Sequence, residues 1–173
     1  ASEAAVFGGI LIVGGSLYLA FLTNFLAAFL GVATVAIYLL IYTPLKTRTA
    51  ICTTIGAIPG ATPPLIGWAA ASGHLDLQAW TLFGILFAWQ FPHFLSIAWI
   101  YKEDYSRAGF TMLPPSDTDG RRTCGQILVF TALVLALSVM PMTSGLTGMS
   151  YLVGALLLGL AFVWYGFEAA LRR

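Results

Sequence analysis

Charge is the scarcest property of this sequence. Aspartate, glutamate, lysine and arginine make up 9% of its 173 residues, against 59% hydrophobic residues, and the mean hydropathy is +0.88. A water-soluble domain has roughly a quarter of its residues charged, so a surface wetted on all sides is excluded. The net charge is +1, with no basic stripe interleaved with aromatics, which argues against a nucleic-acid partner. Cysteine is equally sparse. Cys52 and Cys124 are far apart, so there is neither a Cys-x-x-Cys zinc pair nor a Cys-x-x-Cys-His heme attachment site, and two free thiols are expected. The amino end, ASEAAVFGG, has no initiator methionine and no basic leader region. It reads as the interior of a longer chain and not as a signal peptide.

What the sequence has in abundance is continuous apolar chain. Six segments, roughly residues 4–22, 25–42, 49–71, 79–101, 125–142 and 149–168, each approach the about 20 residues a bilayer requires. The runs are unbroken and do not alternate at period two, which favours membrane helices over a β-barrel. No repeat, low-complexity tract or soluble domain separates them. The sequence therefore predicts one all-α, multi-pass transmembrane bundle of six membrane helices spanning residues 1–173, with the lipid bilayer as its surroundings.

The loops support that count. If the six segments alternate across the bilayer, 14 of the 15 charged residues fall on one side and Asp76 alone on the other. All eight lysines and arginines, Arg172 and Arg173 among them, share that side, which the positive-inside rule makes cytoplasmic. Both chain ends and the two charged loops are then cytoplasmic. The compact loops favour a bacterial plasma membrane over a mitochondrial inner membrane. The carboxylates on the same side do nothing for the positive-inside rule and require another explanation.

Three stretches can carry chemistry. In YTPLKTRT, Pro44 ends a helix and leaves Lys46 and Arg48 at the cytoplasmic lip. Basic residues there satisfy topology alone, yet a lysine point charge beside an arginine fork also suits a diphosphate. In GAIPGATPPLIGW, three prolines and three glycines interrupt one membrane span. Such backbone is tolerated at membrane depth where protein or a polar cavity satisfies the freed groups, so a broken helix lining a ligand cavity is expected.

The third stretch is WQFPHFLSIAWIYKEDY. Gln90 and His93 are three residues apart and are expected as neighbours on one helix face. Polar groups within a membrane span normally face a cavity or a partner. If the helix continues to Asp104, His93 and Asp104 point the same way, roughly 16 Å apart along the axis. Glu103 and Asp104 then stand at a watery mouth above an intramembrane cavity. Carboxylates beside cations there suit a Mg²⁺-diphosphate whose greasy tail lies among the helices.

Taken together and in order, YTPLK, GAIPGATPPLIGW, FAWQFPHF and DYSRAGFTMLP resemble the protoheme IX farnesyltransferase (heme O synthase) family, a branch of the UbiA-type intramembrane prenyltransferases. The resemblance covers about residues 42–140. It implies a nine-helix bundle in which farnesyl diphosphate binds through Mg²⁺ to two acidic motifs and heme B is the acceptor. Ionisation of the allylic diphosphate, attack by a heme vinyl group and addition of water would give heme O. It also implies partners in heme A synthase or terminal-oxidase assembly.

Carried over by position, the acidic loop motif falls on Asp104, with Tyr105, Arg107 and Gly109 around it. The resemblance implies catalytic roles for Asp104, Lys46 and Arg48, and substrate binding by His93, Gln90, Tyr105, Arg107 and Glu103. The expected metal ligands are Asp104 and Glu103. The sequence departs from the family pattern twice. A second aspartate four residues after the first is replaced by Ala108, and the first acidic motif, Asn-x-x-x-Asp-x-x-x-Asp, is absent. The six segments are therefore expected as the third to eighth of nine helices, a single but incomplete transmembrane domain. Two helices with the first motif and one last helix are expected elsewhere, and the chain alone is expected to be inactive. A quinone precursor or chlorophyllide as acceptor, a transporter built on the broken helix, and a noncatalytic heme-handling protein remain alternatives.

Overall fold

The computed structural model describes residues 2–113 and 116–171. Arg172 and Arg173, placed above on the charged side, are outside the described residues. The described chain is helical apart from its connections. It runs α1 (Ser2–Leu22), α2 (Phe25–Ala36), a π-helical segment (Ile37–Tyr42), α3 (Thr43–Leu45), α4 (Cys52–Ala61), α5 (Pro63–Ser72), α6 (Leu77–Ile100), α7 (Lys102–Arg107), α8 (Arg121–Leu137), α9 (Met140–Thr143) and α10 (Met149–Leu171).

Six apolar segments are present, but the third is not one helix. Pro63 and Pro64 have no N–H to give to the preceding turn, and the rod divides at Thr62 into two ten-residue helices. Thr62 keeps right-handed helical dihedrals (φ −71°, ψ −27°), so the chain carries on past the break. Among the described residues, five helices are long and apolar enough to cross a membrane: Ser2–Leu22, Phe25–Leu45, Leu77–Ile100, Arg121–Thr143 and Met149–Ala170. That corrects the expectation of six continuous membrane helices.

A second irregularity precedes Pro44. The amide and the hydroxyl of Thr43 both donate to the Tyr38 carbonyl, the hydroxyl at 2.8 Å, so the ladder has slipped to a five-residue spacing. This wide turn carries Tyr38 and Tyr42, with ring centroids 5.2 Å apart. Tyr42 lies so close to Gly56 on α4 that a Cβ there would sit 2.7 Å from its ring.

Successive apolar segments pack side by side: α1 on α2, α2 on α5, α4 on α6, α6 on α8, and α8 on α10. Small residues mediate the approach. Ala27, Ala57, Ala61, Ala69, Ala79, Ala88 and Ala98 are almost wholly buried, whereas Phe7, Phe21, Leu40, Leu158 and Trp164 point outward. This is the arrangement expected in lipid, which solvates large apolar side chains and leaves close packing to small ones. One larger cluster joins Ala57, Phe91, Leu95 and Ile127, with Phe130 stacked on Phe91 at 3.8 Å.

Caps fix the connections. The Asn24 side chain accepts from the Ala27 amide and donates to the Ala69 carbonyl at 2.6 Å, tying the first hairpin to α5. Asp76 accepts from the Gln78 and Ala79 amides, both at 3.0 Å, and starts α6. α6 ends at Ile100, and Tyr101 leaves helical dihedrals (φ −104°, ψ 27°) before α7 begins. One continuous helix from His93 to Asp104 is therefore not formed. Gly120, in the left-handed region at φ 74°, lies against the Trp99 ring where a Cβ would be 2.6 Å away.

Asp117 is the buried carboxylate of this region. It accepts from the Arg122 amide at 3.1 Å, the Thr123 amide at 2.8 Å and the Thr123 hydroxyl at 2.6 Å, so it closes the start of α8 from inside the loop. Burial alone pushes its pKa up. The Thr123 and Arg122 hydrogen bonds and the Arg122 charge outweigh that effect and hold the carboxyl below its ordinary value. A depressed folded pKa means the contribution is fully present above the unfolded value, about 3.9, and is lost as pH falls through the lower folded value. Asp117→Ala is expected to cost about 1–2 kcal/mol. Thermal unfolding in detergent measures the loss, and faster hydrogen exchange at the Arg122 and Thr123 amides locates it.

Candidate functional site

The two irregular stretches face each other across a cavity of about 620 Å³. Tyr38 and Tyr42 from the π-helical segment form one wall, and Gly56, Pro59 and Gly60 from α4 form the other. Gln90 and Phe94 of α6 close the back. The broken third segment does line a cavity, as its glycines and prolines suggest. Gly56 and Gly60 lie four residues apart on one helix face, and each receives a side chain from a neighbouring element: Tyr42 at Gly56 and the Gln90 amide at Gly60.

Above this cavity two loops meet. The Thr111 amide donates to the Lys46 carbonyl at 2.9 Å, and the Lys46 ammonium stands 5.2 Å from the centroid of the Phe110 ring. The Cys52 thiol is 3.9 Å from the Met112 sulfur beneath them. A second cavity of about 400 Å³ opens on this side, lined by Lys102, Tyr105, Phe110, Met112, Asp117 and Thr118. Met112 lines both, so the apolar cavity and the more polar one adjoin at its side chain.

The sequence-derived candidates are distributed unevenly around these spaces. Lys46 is half-buried and joins the two loops, while Arg48, two residues on, is exposed. Tyr105 is half-buried in the polar cavity, its ring edge-on to Phe110 at 6.1 Å. Asp104 is exposed on α7, and its Oδ1 accepts from the Arg107 guanidinium at 2.9 Å. Glu103 is also exposed and projects about 100° away around the helix. Glu103, Asp104 and Arg107 line a shallow depression with Trp99 and Lys102, where the Lys102 ammonium lies 4.4 Å from the Trp99 ring centroid.

Gln90 and His93 do not share a space. Gln90 is 5% exposed, and its Nε2 donates to the Ala57 carbonyl at 3.0 Å. His93 stacks on Trp89 at 4.7 Å and lines a separate cleft of about 320 Å³ with Pro92, Thr131 and Tyr165, between α6, α8 and α10. The expectation of one face is overturned by the angular offset: three residues on a helix leave about 60° between side chains, and here α6 is the wall between two chambers. The continuous helix that would set Asp104 three turns above His93 is interrupted at Tyr101.

Sequence reasoning missed Tyr42, Phe110, Met112 and Asp117. The Gly56–Gly60 spacing inside GAIPG was a readable signal for close approach. The contacts of Phe110 and Met112 form between distant loops and have no local signal.

Among the described residues, no group of three or more His, Cys, Asp or Glu side chains gathers as a metal centre. A magnesium ion held with a diphosphate does not need one, since it keeps waters and takes one or two carboxylates together with phosphate oxygens. Asp104, whose Oδ1 is paired with Arg107, and Glu103 are both exposed on α7 and are the carboxylates available for such a role.

The chain is similar to curated proteins named protoheme IX farnesyltransferase. It is 52% identical to that of Solibacter usitatus over 173 residues, covering 100% of this chain and 59% of the relative. It is 48% identical to that of Koribacter versatilis over 155 residues, 90% of this chain and 50% of the relative. To that of Opitutus terrae it is 44% identical over 165 residues, 95% and 56% respectively. The chain thus spans between half and three-fifths of the length of these relatives. No solved structure matches it. The apolar helices make it an integral, multi-pass membrane protein, and the match of a single family description to residues 1–173 establishes that the chain belongs to the UbiA prenyltransferase family.

Proposed function

We propose that this chain forms the donor-binding part of an intramembrane prenyltransferase that moves a farnesyl group from farnesyl diphosphate to a vinyl group of heme B, yielding heme O. The observation that carries the proposal is the loop junction above the apolar cavity. The Lys46–Thr111 bond and the Lys46–Phe110 contact bring the basic stretch YTPLK and the acidic stretch EDYSRAGF to one end of a greasy chamber. An amphiphile with a charged head and an isoprenoid tail fits this layout: its tail lies between Tyr42, Gly56 and Phe94, and its head lies beyond Met112. The names of the similar proteins supply the farnesyl and heme part of the proposal.

Departure of diphosphate develops negative charge on its oxygens. We assign stabilisation of that charge to Lys46, half-buried at the loop junction, with Arg48 and Arg107 exposed beyond it. Mg²⁺ bound with the diphosphate would be held by Asp104, with Glu103 beside it, and would neutralise part of the same charge. The apolar walls keep bulk water from the reactive allylic carbon. His93, stacked on Trp89 in the other cleft, is assigned to the planar heme acceptor. On this reading the charged loops face the cytoplasm of a bacterial plasma membrane, and the product passes to heme A synthase or terminal-oxidase assembly.

Expression of the full-length parent protein, with mass spectrometry of extracted hemes, tests the reaction. Farnesylated heme is expected, and its absence would assign another acceptor or another function. In that protein Asp104→Asn is expected to lower turnover about 100-fold or more while leaving thermal stability within about 0.5 kcal/mol, since the side chain is exposed. Wild-type turnover in Asp104→Asn would remove the carboxylate from the site. His93→Ala is expected to raise KM for heme about tenfold, the loss of one stacking or ligating contact, with farnesyl diphosphate affected less. Equal effects on both substrates would make His93 a packing residue.

A further inference from the structure

The apolar cavity has a mouth and a floor. Its mouth lies at the loop junction, where Tyr42, Thr53 and Met112 line it. From there the lining descends on two walls, from Tyr42 to Thr34 along the second apolar segment and from Thr53 to Gly60 along α4. Each descent is about two helical turns, or about 11 Å. α6 runs the opposite way, and its deepest lining residue is Gln90, one turn below Phe94. Beneath Thr34, Gly60 and Gln90 the space closes, where α5 packs on both α2 and α6 with Leu65 and Ala69 buried. The amide on this floor is firmly seated. Gln90 Nε2 donates to the Ala57 carbonyl at 3.0 Å and to the Leu86 carbonyl at 3.4 Å. Its Oε1 packs against Gly60, where an added Cβ would collide with it. Pushing the amide aside would leave a buried donor unpaired at membrane depth, a costly state.

We infer that Gln90, seated on Gly60, sets the length of the isoprenoid tail that the chamber accepts. The inference rests on the donor placement proposed above, with the diphosphate beyond Met112 and the tail running down between Tyr42, Gly56 and Phe94. A tail that fills the chamber ends against the Gln90 amide. A shorter tail leaves apolar wall uncovered near the floor and gives up that burial. A tail longer by one isoprene unit has to displace the amide, fold back on itself, or lift its diphosphate away from Lys46. Gln90 meets only the far end of the donor, so it is a specificity residue and takes no part in bond making. Gly60 is the other half of the device, because a methyl group there takes room from the floor and displaces the amide.

Calorimetry on the full-length protein in detergent, with Mg²⁺ and without heme, tests this through the Kd of geranyl, farnesyl and geranylgeranyl diphosphate. Wild-type protein is expected to bind farnesyl diphosphate most tightly. Gln90→Ala lowers the floor, and the preference for farnesyl over geranylgeranyl diphosphate is expected to fall about tenfold or more, as for a chain extension in an apolar pocket. Gly60→Ala raises the floor, and the preference for farnesyl over geranyl diphosphate is expected to fall by about the same factor. The two shifts run in opposite directions, which a general loss of packing does not produce. Unchanged ratios, or equal weakening of all three donors, in whichever variant folds would overturn the inference. Equal binding of the three donors by wild-type protein would do the same. Selective binding of farnesyl diphosphate without any farnesylated heme product would instead remove the proposed acceptor and leave the floor in place.

Discussion

A bilayer offers the backbone no hydrogen bonds, and this constraint shapes everything else in the molecule. Every N–H and C=O at membrane depth has to be met from within the protein. Where the sequence gives plain apolar chain, as in α1 and α10, the helix meets its own needs and shows its side chains to lipid. Where it gives Pro44, Pro59, Pro63 or Pro64, donors are missing and the fold adapts locally. Beside Pro44 the turn widens at Tyr38, whose carbonyl takes two donors from Thr43. Beside Pro63 the chain breaks at Thr62, whose hydroxyl donates to the Ile58 carbonyl at 2.7 Å. Both irregular segments line the cavity.

α6 organises the interior as a partition. Its buried side meets α4 through Gln90 and α8 through Phe91 and Leu95, while Trp89 and His93 turn toward α8 and α10. The two sets interleave along one unbroken helix, as its periodicity requires, and Pro92 lies with His93 on the cleft side. The two chambers therefore open on opposite sides of one helix, and the proposed reaction would place one substrate in each.

Much of the architecture was legible in the sequence because the bilayer enforces simple rules. Apolar run length gave the membrane segments, and the density of proline and glycine in GAIPGATPPLIGW marked the helix that breaks. The segment count was one helix too generous there, since length alone does not register a Pro-Pro pair as a division. The site was half legible. Lys46 and the Asp104 loop were readable as charge at a lip, but their meeting depends on the Thr111–Lys46 bond between loops distant in sequence. The separation of Gln90 from His93 has no signal in the sequence, because adjacency on a helix does not ensure a shared outlook. When a helix is a wall, about 60° is enough to place two neighbours in different rooms.

The Thr111–Lys46 bond also has a bearing on how the protein is made. Synthesis runs from the amino end, and Lys46 enters the membrane region long before Thr111 leaves the ribosome. The polar mouth cannot assemble until α4, α5 and α6 have all been threaded, because Phe110 and Met112 follow them. During that interval the apolar chamber stands open at its top, with Tyr42 and Gly56 in place and no cover above them. Closure of this end of the chamber therefore waits on residues after α6, and a nascent chain arrested before Phe110 would hold α1 to α6 but lack the loop that meets Lys46.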